Sequence, residues 1–133
     1  MEALKYVKKE PYQLFIDGKY IPSENGSIVD VINPVNNLPF AKAYRGTKTD
    51  CEKAIAAARK AFDEGPYRKM SAKDRSKLLL KAAQILERRA EELAVIETLE
   101  CGKNYSACRY WEVPMAIDSF EFFAGKARCL DGK

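Results

Sequence analysis

The spacing of hydrophobic residues in this chain changes once, near Thr49, and that change limits the folds open to it. Between about residues 14 and 45, apolar residues occur in short runs bounded by Asn, Asp, Gly and Pro, which is typical of β-strands. Between about residues 50 and 128 they recur every three or four positions, which is typical of amphipathic helices. The sequence therefore predicts an α/β fold of one domain, with antiparallel strands first and three helical regions after them.

The predicted strands are separated by recognisable turns. In LFIDGKYI, Asp17 and Gly18 lie between apolar and aromatic residues, which predicts a two-residue hairpin with positive φ at both central positions. SIVDVINP then predicts a strand that ends at Asn33-Pro34, and Asn36 and Asn37 continue the turn. FAKAYRG predicts a third strand that ends at Gly46.

A helix is predicted to begin at TDCE, because Thr49 and Glu52 have the spacing of a capping box. Gly65-Pro66 predicts its end, with the glycine in a left-handed cap and the proline unable to continue the helix. Apolar residues at helical spacing form one stripe along it: Cys51, Ala54, Ile55, Ala58 and Phe62.

Two further helical regions are predicted on either side of Gly102. The first begins at Ser71 and is long enough to break near Arg88-Arg89, and the second runs to about Arg128. Pro114 is expected to kink the second region or to mark its first turn, since it has no amide hydrogen to donate. The predicted buried faces comprise Leu78, Leu79, Ala82, Ile85, Leu86, Leu93 and Ile96 in the first region, and Val113, Ile117, Phe120, Phe123 and Ala127 in the second.

The composition excludes several classes of site. The chain has no histidine, so a Cys-His or Ser-His pair and an imidazole metal ligand are excluded within it. Its four cysteines contain no C-x-x-C pair, which argues against a thiolate zinc site, and we expect free thiols. Its seven glycines are too scattered to form a G-x-G-x-x-G motif or a P-loop.

Charge and hydrophobicity argue against nucleic-acid and membrane partners. The formal net charge is only +4, with 23 basic residues interleaved among 19 acidic ones, which favours solvated helix faces over a nucleic-acid stripe. No stretch approaches the roughly 18 consecutive apolar residues of a membrane helix, and the N-terminal residues lack a secretory hydrophobic region. We therefore expect a cytoplasmic protein.

Cys101, in ETLECGK, is the residue that most invites a catalytic interpretation. It lies in the last turn of a predicted helix, where the negative end of the helix dipole disfavours a thiolate, and the chain has no histidine to act as its base. We interpret Cys101 as structural, Gly102 as a helix cap and Lys103 as a favourable cation at the helix end. The carboxylate pairs Glu91-Glu92 and Glu97-Glu100 are interpreted as solvated helix faces.

The aromatic segment YWEVPMAIDSFEFFAG leaves two interpretations open. Trp111 and Met115 are four residues apart and share a helix face, so they suit either the lining of an apolar tunnel or ordinary core packing. From the periodicity alone, core packing is favoured.

Several of these segments, in order from about Leu14 to Lys133, resemble the N-terminal part of an NAD(P)-dependent aldehyde dehydrogenase. They are LFIDGKY, INP with the following Val-Asn-Asn, AKAYRGT, the long run from DCEKAIAAARKAF to ETLECGK, and FEFFAG. The resemblance implies the start of the aldehyde dehydrogenase fold, an incomplete Rossmann-type cofactor-binding domain over residues 1–133, with the catalytic domain absent. It implies an enzyme that oxidises an aldehyde with NAD or NADP through a cysteine thiohemiacetal.

The resemblance also assigns roles within these residues. The family's nucleophilic cysteine, glutamate base and dinucleotide-binding loop match nothing here, so no catalytic or cofactor-binding residue is assigned and the chain alone is expected to be inactive. By matched position, the substrate tunnel would be bordered by Trp111, Glu112 and Met115. A structural monovalent cation would be held by Val31, Ile32 and Glu100, although an aspartate is usual at the position of Glu100.

Two other hypotheses remain beside this one. The chain is alternatively a stand-alone helical interaction or scaffold module, which associates through its alanine-rich helix face. A basic helical nucleic-acid binder is the weaker third. For the enzyme segment we expect self-association or a homo-oligomer, because strand edges and apolar helix faces would otherwise be exposed.

Overall fold

The computed structural model describes residues 2–129, so the two ends of the predicted domain, Met1 and residues 130–133, lie outside the described residues. The chain divides into two compact units, Met1–Arg68 and Lys69–Lys133. Within residues 2–129, the first contains four strands, one α-helix and a short 3-10 helix, and the second is helical. The predicted α/β order of antiparallel strands followed by helices is confirmed.

The first unit begins with a 3-10 helix at Glu2–Tyr6, followed by a hairpin of β1 (Leu14–Ile16) and β2 (Lys19–Ile21). Asp17 and Gly18 form its turn with φ of 52° and 75°, as predicted. Positive φ at both central positions gives the turn the twist that joins antiparallel strands. Across the hairpin, the rings of Phe15 and Tyr20 lie 4.9 Å apart and make a cross-strand aromatic pair.

The second hairpin pairs β3 (Ile28–Asn33) with β4 (Leu38–Tyr44). Strand β4 begins two residues earlier than predicted. The Asn33 side chain accepts from the backbone of Val35 at 2.9 Å, and Asn37 has φ of 57°, so asparagines shape the turn as predicted. The register shifts between Val31 and Ile32, which marks a β-bulge.

Helix α1 spans Lys48–Glu64, and its N-cap is Thr47 rather than the predicted Thr49. Thr47 and Asp50 form the capping box, which the prediction had assigned to Thr49 and Glu52. Asp50 is buried, and the Ser23 hydroxyl donates to its carboxylate at 2.8 Å, so a contact distant in sequence fixes where the helix begins.

The C-terminal end of α1 is at the predicted position but has a different geometry. Gly65 has φ of −65° and ψ of 158°, which is extended, so the predicted left-handed cap is wrong. A side chain here would overlap the carbonyl oxygen of Ala61, which explains the glycine without positive φ. The predicted stripe of α1 is largely exposed among the described residues, with Ile55 and Phe62 each 69% exposed.

After a 3-10 turn at Pro66–Lys69, the second unit begins with α2 (Ala72–Arg88), capped by Ser71 as predicted. The predicted break occurs at Arg89, with φ of −105° and ψ of 14°, before α3 (Ala90–Cys101). Gly102 ends α3 in the left-handed conformation, as predicted. A short α4 (Tyr105–Ala107), a π-helical segment (Cys108–Glu112) and α5 (Val113–Lys126) complete this unit.

The core of the helical unit consists mainly of small residues, because α2 packs closely on α5 and α3 packs against the turns before α5. The predicted faces are only partly buried: Leu78 is 45% exposed and Phe123 is 61% exposed. Val113 is buried as predicted, while Leu79, Leu86, Leu93, Ile96 and Ile117 are half-buried. The buried apolar residues of this unit are Ala83, Ala90, Ala94, Val95, Cys108, Val113 and Ala124.

Candidate functional site

The candidate site is the π-helical segment Cys108–Glu112, called here the π segment, with the adjoining ends of α3 and α5. Asn104 caps the turn before it by accepting a hydrogen bond of 2.8 Å from the backbone of Ser106. Pro114 follows at the start of α5. It has no amide hydrogen to donate, and it lies where the π-helical turn meets the regular α-helical turns. The prediction that Pro114 marks a first helical turn is confirmed for α5.

The five residues of the π segment differ in what they contact. Cys108 is fully buried in a cluster with Ala90, Ala94 and Val113. Arg109 and Glu112 pair with charged residues that flank or belong to α3. The two residues between them, Tyr110 and Trp111, are 65% and 75% exposed. The segment therefore presents two aromatic side chains on a backbone that is held at both ends.

Lys103 joins α3 to the C-terminal end of the π segment. Its ammonium group donates to the Glu97 carboxylate at 2.8 Å and to the Glu112 carboxylate at 2.7 Å; we call these three residues the lysine bridge. The hydrogen bonds that Lys103 donates, that to Glu112 first and that to Glu97 second, raise the pKa of Lys103 above its usual range. The same contact with Lys103 lowers the pKa of Glu112.

The lysine bridge also accounts for a cluster of metal-ligand atom types. One atom each from Glu97, Cys108 and Glu112 lies within 4.8 Å of the others. The ammonium of Lys103 pairs with both carboxylates and offsets one of their two negative charges, and Cys108 belongs to the apolar core. The arrangement is therefore explained by ion pairing and packing.

A second polar contact holds the N-terminal end of the π segment. The Tyr105 hydroxyl donates to Glu91 at 2.6 Å, and the Nε of Arg109 lies 3.4 Å from the same carboxylate. The hydrogen bond to the anionic Glu91 raises the pKa of Tyr105. Glu91 thus links α3 to α4 and to the π segment.

A groove of about 440 Å³ lies beside the lysine bridge. Its walls are apolar, and Glu97, Glu100 and Glu112 contribute acidic groups to it. Of the three residues predicted to border a tunnel, only Glu112 lines this groove. Its lining comprises Leu86, Leu93, Ile96, Glu97, Glu100, Cys101, Glu112, Val113 and Ala116.

The predicted tunnel residues lie close together in sequence but differ in exposure. Trp111 and Glu112 belong to the π segment, whereas Met115 belongs to α5 and is 65% exposed. Glu112 is half-buried because it takes part in the lysine bridge. Trp111 and Met115 do not belong to the core of the described residues, and the core-packing alternative stays a prediction for both. Their role in a tunnel stays a prediction.

The other predicted site residues are distributed over both units. Val31 and Ile32 lie in β3 of the first unit, opposite the bulge at Phe40 of β4, and Glu100 lies in α3 of the second. The monovalent-cation site implied for these three residues stays a prediction. Cys101 is the last residue of α3, as expected, and is exposed. All four cysteines are free thiols, as predicted.

Sequence reasoning missed the π segment and the lysine bridge. The sequence indicates only that Lys103 is a cation near a helix end and that Glu97 is part of a solvated face. A signal was present, because Gly102 reverses the chain direction and allows Lys103 to reach α3 again. The partner in the π segment could not be inferred, since an unbroken α-helix would have placed Glu112 differently.

Comparison with known proteins identifies the family. The model of the aldehyde dehydrogenase family matches residues 20–133. Cytosolic 10-formyltetrahydrofolate dehydrogenase of Xenopus tropicalis is 38% identical over 138 residues, which is 98% of this chain and 15% of that protein. The chain thus spans a small part of the curated relatives it matches.

Solved structures agree over almost the whole chain. An NAD-dependent aldehyde dehydrogenase from Sinorhizobium meliloti superposes with a TM-score of 0.88 at 38% identity, covering 97% of this chain and 26% of that one. Betaine aldehyde dehydrogenase from Staphylococcus aureus, in complex with NAD+, gives a TM-score of 0.91 at 34% identity, covering 98% and 26%.

Proposed function

This chain belongs to the aldehyde dehydrogenase family, and we propose that it forms the N-terminal part of an enzyme that oxidises an aldehyde to a carboxylic acid with NAD or NADP. The observation that carries the proposal is the match to the Sinorhizobium enzyme over 97% of this chain. The proposed substrate is a small-molecule aldehyde, and the proposed location is the cytoplasm.

The proposed reaction proceeds in three steps. A cysteine thiolate adds to the aldehyde carbon to give a thiohemiacetal, which transfers hydride to the nicotinamide and becomes a thioester. Water then hydrolyses the thioester, releasing the acid and restoring the thiol. We propose that the nucleophile and the groups that bind the cofactor lie outside these 133 residues.

The proposed role of this chain is to support the active site and to border the substrate entrance. Trp111 and Met115 offer large exposed apolar side chains, which suit an apolar aldehyde, and Glu112 fixes the backbone between them. Their exposure among the described residues fits a surface that faces further protein or substrate. The exposed apolar stripe of α1 supports the same view, because a stable folded surface seldom exposes several large apolar side chains, such as Ile55 and Phe62, along one helix face.

Three measurements test the proposal. The 133-residue chain, mixed with propanal and NAD, is expected to produce no NADH, and calorimetric titration with NAD is expected to give no binding heat. A chimera in which this chain replaces the matching part of the Sinorhizobium enzyme is expected to oxidise propanal. The unmodified Sinorhizobium enzyme serves as the positive control.

The alternative of a stand-alone interaction module predicts different results. A monomeric chain with no tendency to associate, together with a chimera that folds but cannot oxidise any aldehyde, would refute the enzyme proposal. Turnover by the 133-residue chain alone would refute the assignment of catalysis to residues outside it.

A further inference from the structure

Lys103 occupies an unusual position relative to the π segment. The left-handed conformation of Gly102 turns the chain back at the end of α3, so the next side chain can reach both that helix and the segment that follows. The lysine bridge therefore connects Glu97, one turn before the end of α3, to Glu112, the last residue of the π segment. Glu112 directly follows the exposed Trp111.

We propose that Lys103 is a positioning residue for the aldehyde, which holds the π segment in its wide helical turn and so fixes the direction in which Trp111 projects. This inference rests on the proposed function, in which Trp111 and Met115 border the substrate entrance. Lys103 itself need not contact the substrate, because it acts through Glu112.

Helix geometry explains why a single contact could have this effect. A π turn holds one residue more than an α turn, so conversion of the segment to regular α-helix would rotate its first residue by about 100° relative to α5, and Trp111, near its end, by part of that angle. Such a rotation would change the direction of Trp111 relative to Met115, because residues four apart share one face in a regular α-helix. The size of the aldehyde that the entrance admits would then change.

Removal of Lys103 would do more than break two hydrogen bonds. Its ammonium contacts two carboxylates, and one oxygen of each and the Cys108 sulfur lie within 4.8 Å of one another. Without the cation, Glu97 and Glu112 would repel each other across this short distance. That repulsion would push the C-terminal end of the π segment away from α3.

At its N-terminal end, the π segment is held by separate contacts. Cys108 is fully buried, and Arg109 pairs with Glu91, to which Tyr105 also donates. These contacts would persist in a Lys103 variant. We therefore expect a local change between Arg109 and Val113 rather than the loss of the whole unit.

The test compares Lys103→Met with Lys103→Arg, which retains the cation, and with Lys81→Met, which removes an exposed lysine from α2. Hydrogen–deuterium exchange of the 133-residue chain reports on the π segment. Because Trp111 is the only tryptophan, fluorescence anisotropy reports on that side chain without labelling. In Lys103→Met we expect the π-segment amides to exchange about three- to ten-fold faster, with a lower Trp111 anisotropy.

The two control variants show which results support the inference and which overturn it. Lys103→Arg and Lys81→Met are expected to match the parent chain in both measurements. Equal behaviour of Lys103→Met and Lys81→Met would overturn the inference. Faster exchange throughout α2 and α5 would also overturn it, because Lys103 would then stabilise the unit as a whole rather than position one segment.

A functional readout uses the chimeric enzyme. Lys103→Met should change the ratio of kcat/KM for a bulky aromatic aldehyde over propanal by about ten-fold or more, while Lys103→Arg should leave the ratio near that of the parent. An unchanged ratio would reject the positioning role. A chimera with no activity at all would refute the proposed function instead, and exchange and anisotropy would still decide the role of Lys103.

Discussion

The Ser23 hydroxyl donates a hydrogen bond of 2.8 Å to the carboxylate of Asp50, which connects the loop before β3 to the first turn of α1. The backbone N–H and the hydroxyl of Thr47 donate to the same carboxylate at 2.9 Å and 3.0 Å, and the backbone of Glu24 donates at 3.2 Å. One buried carboxylate thus caps a helix and anchors a loop that lies 27 residues away from it along the chain.

Asp50→Asn should destabilise the first unit, because an amide nitrogen would face donors where a carboxylate oxygen now accepts. We expect the thermal midpoint, followed by circular dichroism, to fall by about 4–8 °C, the scale for removing one cap from a small domain. Asp63→Asn, at the exposed opposite end of α1, is the matched control and should change the midpoint little. Equal midpoints for the two variants would contradict the role assigned to Asp50.

Acid should weaken the first unit through the same carboxylate. Hydrogen bonds, that from the Thr47 backbone first, lower the pKa of Asp50 from 3.8 to about 2 in the folded protein. A carboxyl whose pKa is lowered on folding stabilises the folded state above its unfolded-state pKa and loses this contribution as pH falls through its folded-state pKa. The urea midpoint should therefore fall between about pH 4 and pH 2, measured by exchange of the α1 amides. The urea midpoint of Asp50→Asn should fall less over this pH range. An equal dependence of the urea midpoint on pH in the variant and the parent chain would count against this explanation.

Gly65→Ala should destabilise α1 although Gly65 has negative φ. Its Cβ would overlap the Ala61 carbonyl oxygen, which accepts the closing hydrogen bond of the helix from Gly65 N–H at 3.0 Å. We expect a loss of about 1–3 kcal/mol in the free energy of unfolding. Gly46→Ala is the control, because its Cβ would lie at an ordinary 3.8 Å from Leu14. Chemical denaturation of both variants measures the difference, and a neutral Gly65→Ala would disprove the overlap.

The four thiols should differ in their reactivity toward maleimide according to their burial. Under native conditions a maleimide should label the exposed Cys51, Cys101 and Cys129 and spare Cys108, as measured by mass spectrometry. Cys108→Ser should cost about 1–3 kcal/mol, because it places a hydroxyl in the cluster of Ala90, Ala94 and Val113. Cys101→Ser should remain within about 0.5 kcal/mol of the parent chain. Rapid native labelling of Cys108 would argue against the described core.

The exposed stripe of α1 should drive association. Ile55→Lys combined with Phe62→Ser should shift the chain toward a monomer in size-exclusion chromatography with light scattering, because both side chains are 69% exposed. Stability should be almost unchanged, since neither side chain belongs to the described core. Lys60→Ser, at a polar exposed position of the same helix, should leave the association state as it is. If the parent chain is already monomeric, this prediction is wrong.

No helix within residues 2–129 is both long and apolar enough to cross a bilayer.

The sequence alone determined the features that depend on neighbouring residues. Asp17-Gly18 forms the predicted turn, Ser71 caps α2 and Gly102 ends α3, because positive φ and side-chain capping are decided within a few residues. The family resemblance was recognisable for the same reason, since it rests on short motifs kept in order. The order of strands and helices follows from the change in hydrophobic period.

Only the tertiary structure decided the features that depend on distant partners. Thr47, not Thr49, caps α1, because Asp50 is held by Ser23 from another loop. Glu112 belongs to a π turn tied to α3 through Lys103, which no helical period reveals. Turns and caps can form from interactions within a few residues, because only a few backbone angles need to be set. Where two caps or two kinds of helical turn are both locally possible, the one that forms is decided by a contact that exists only in the folded chain.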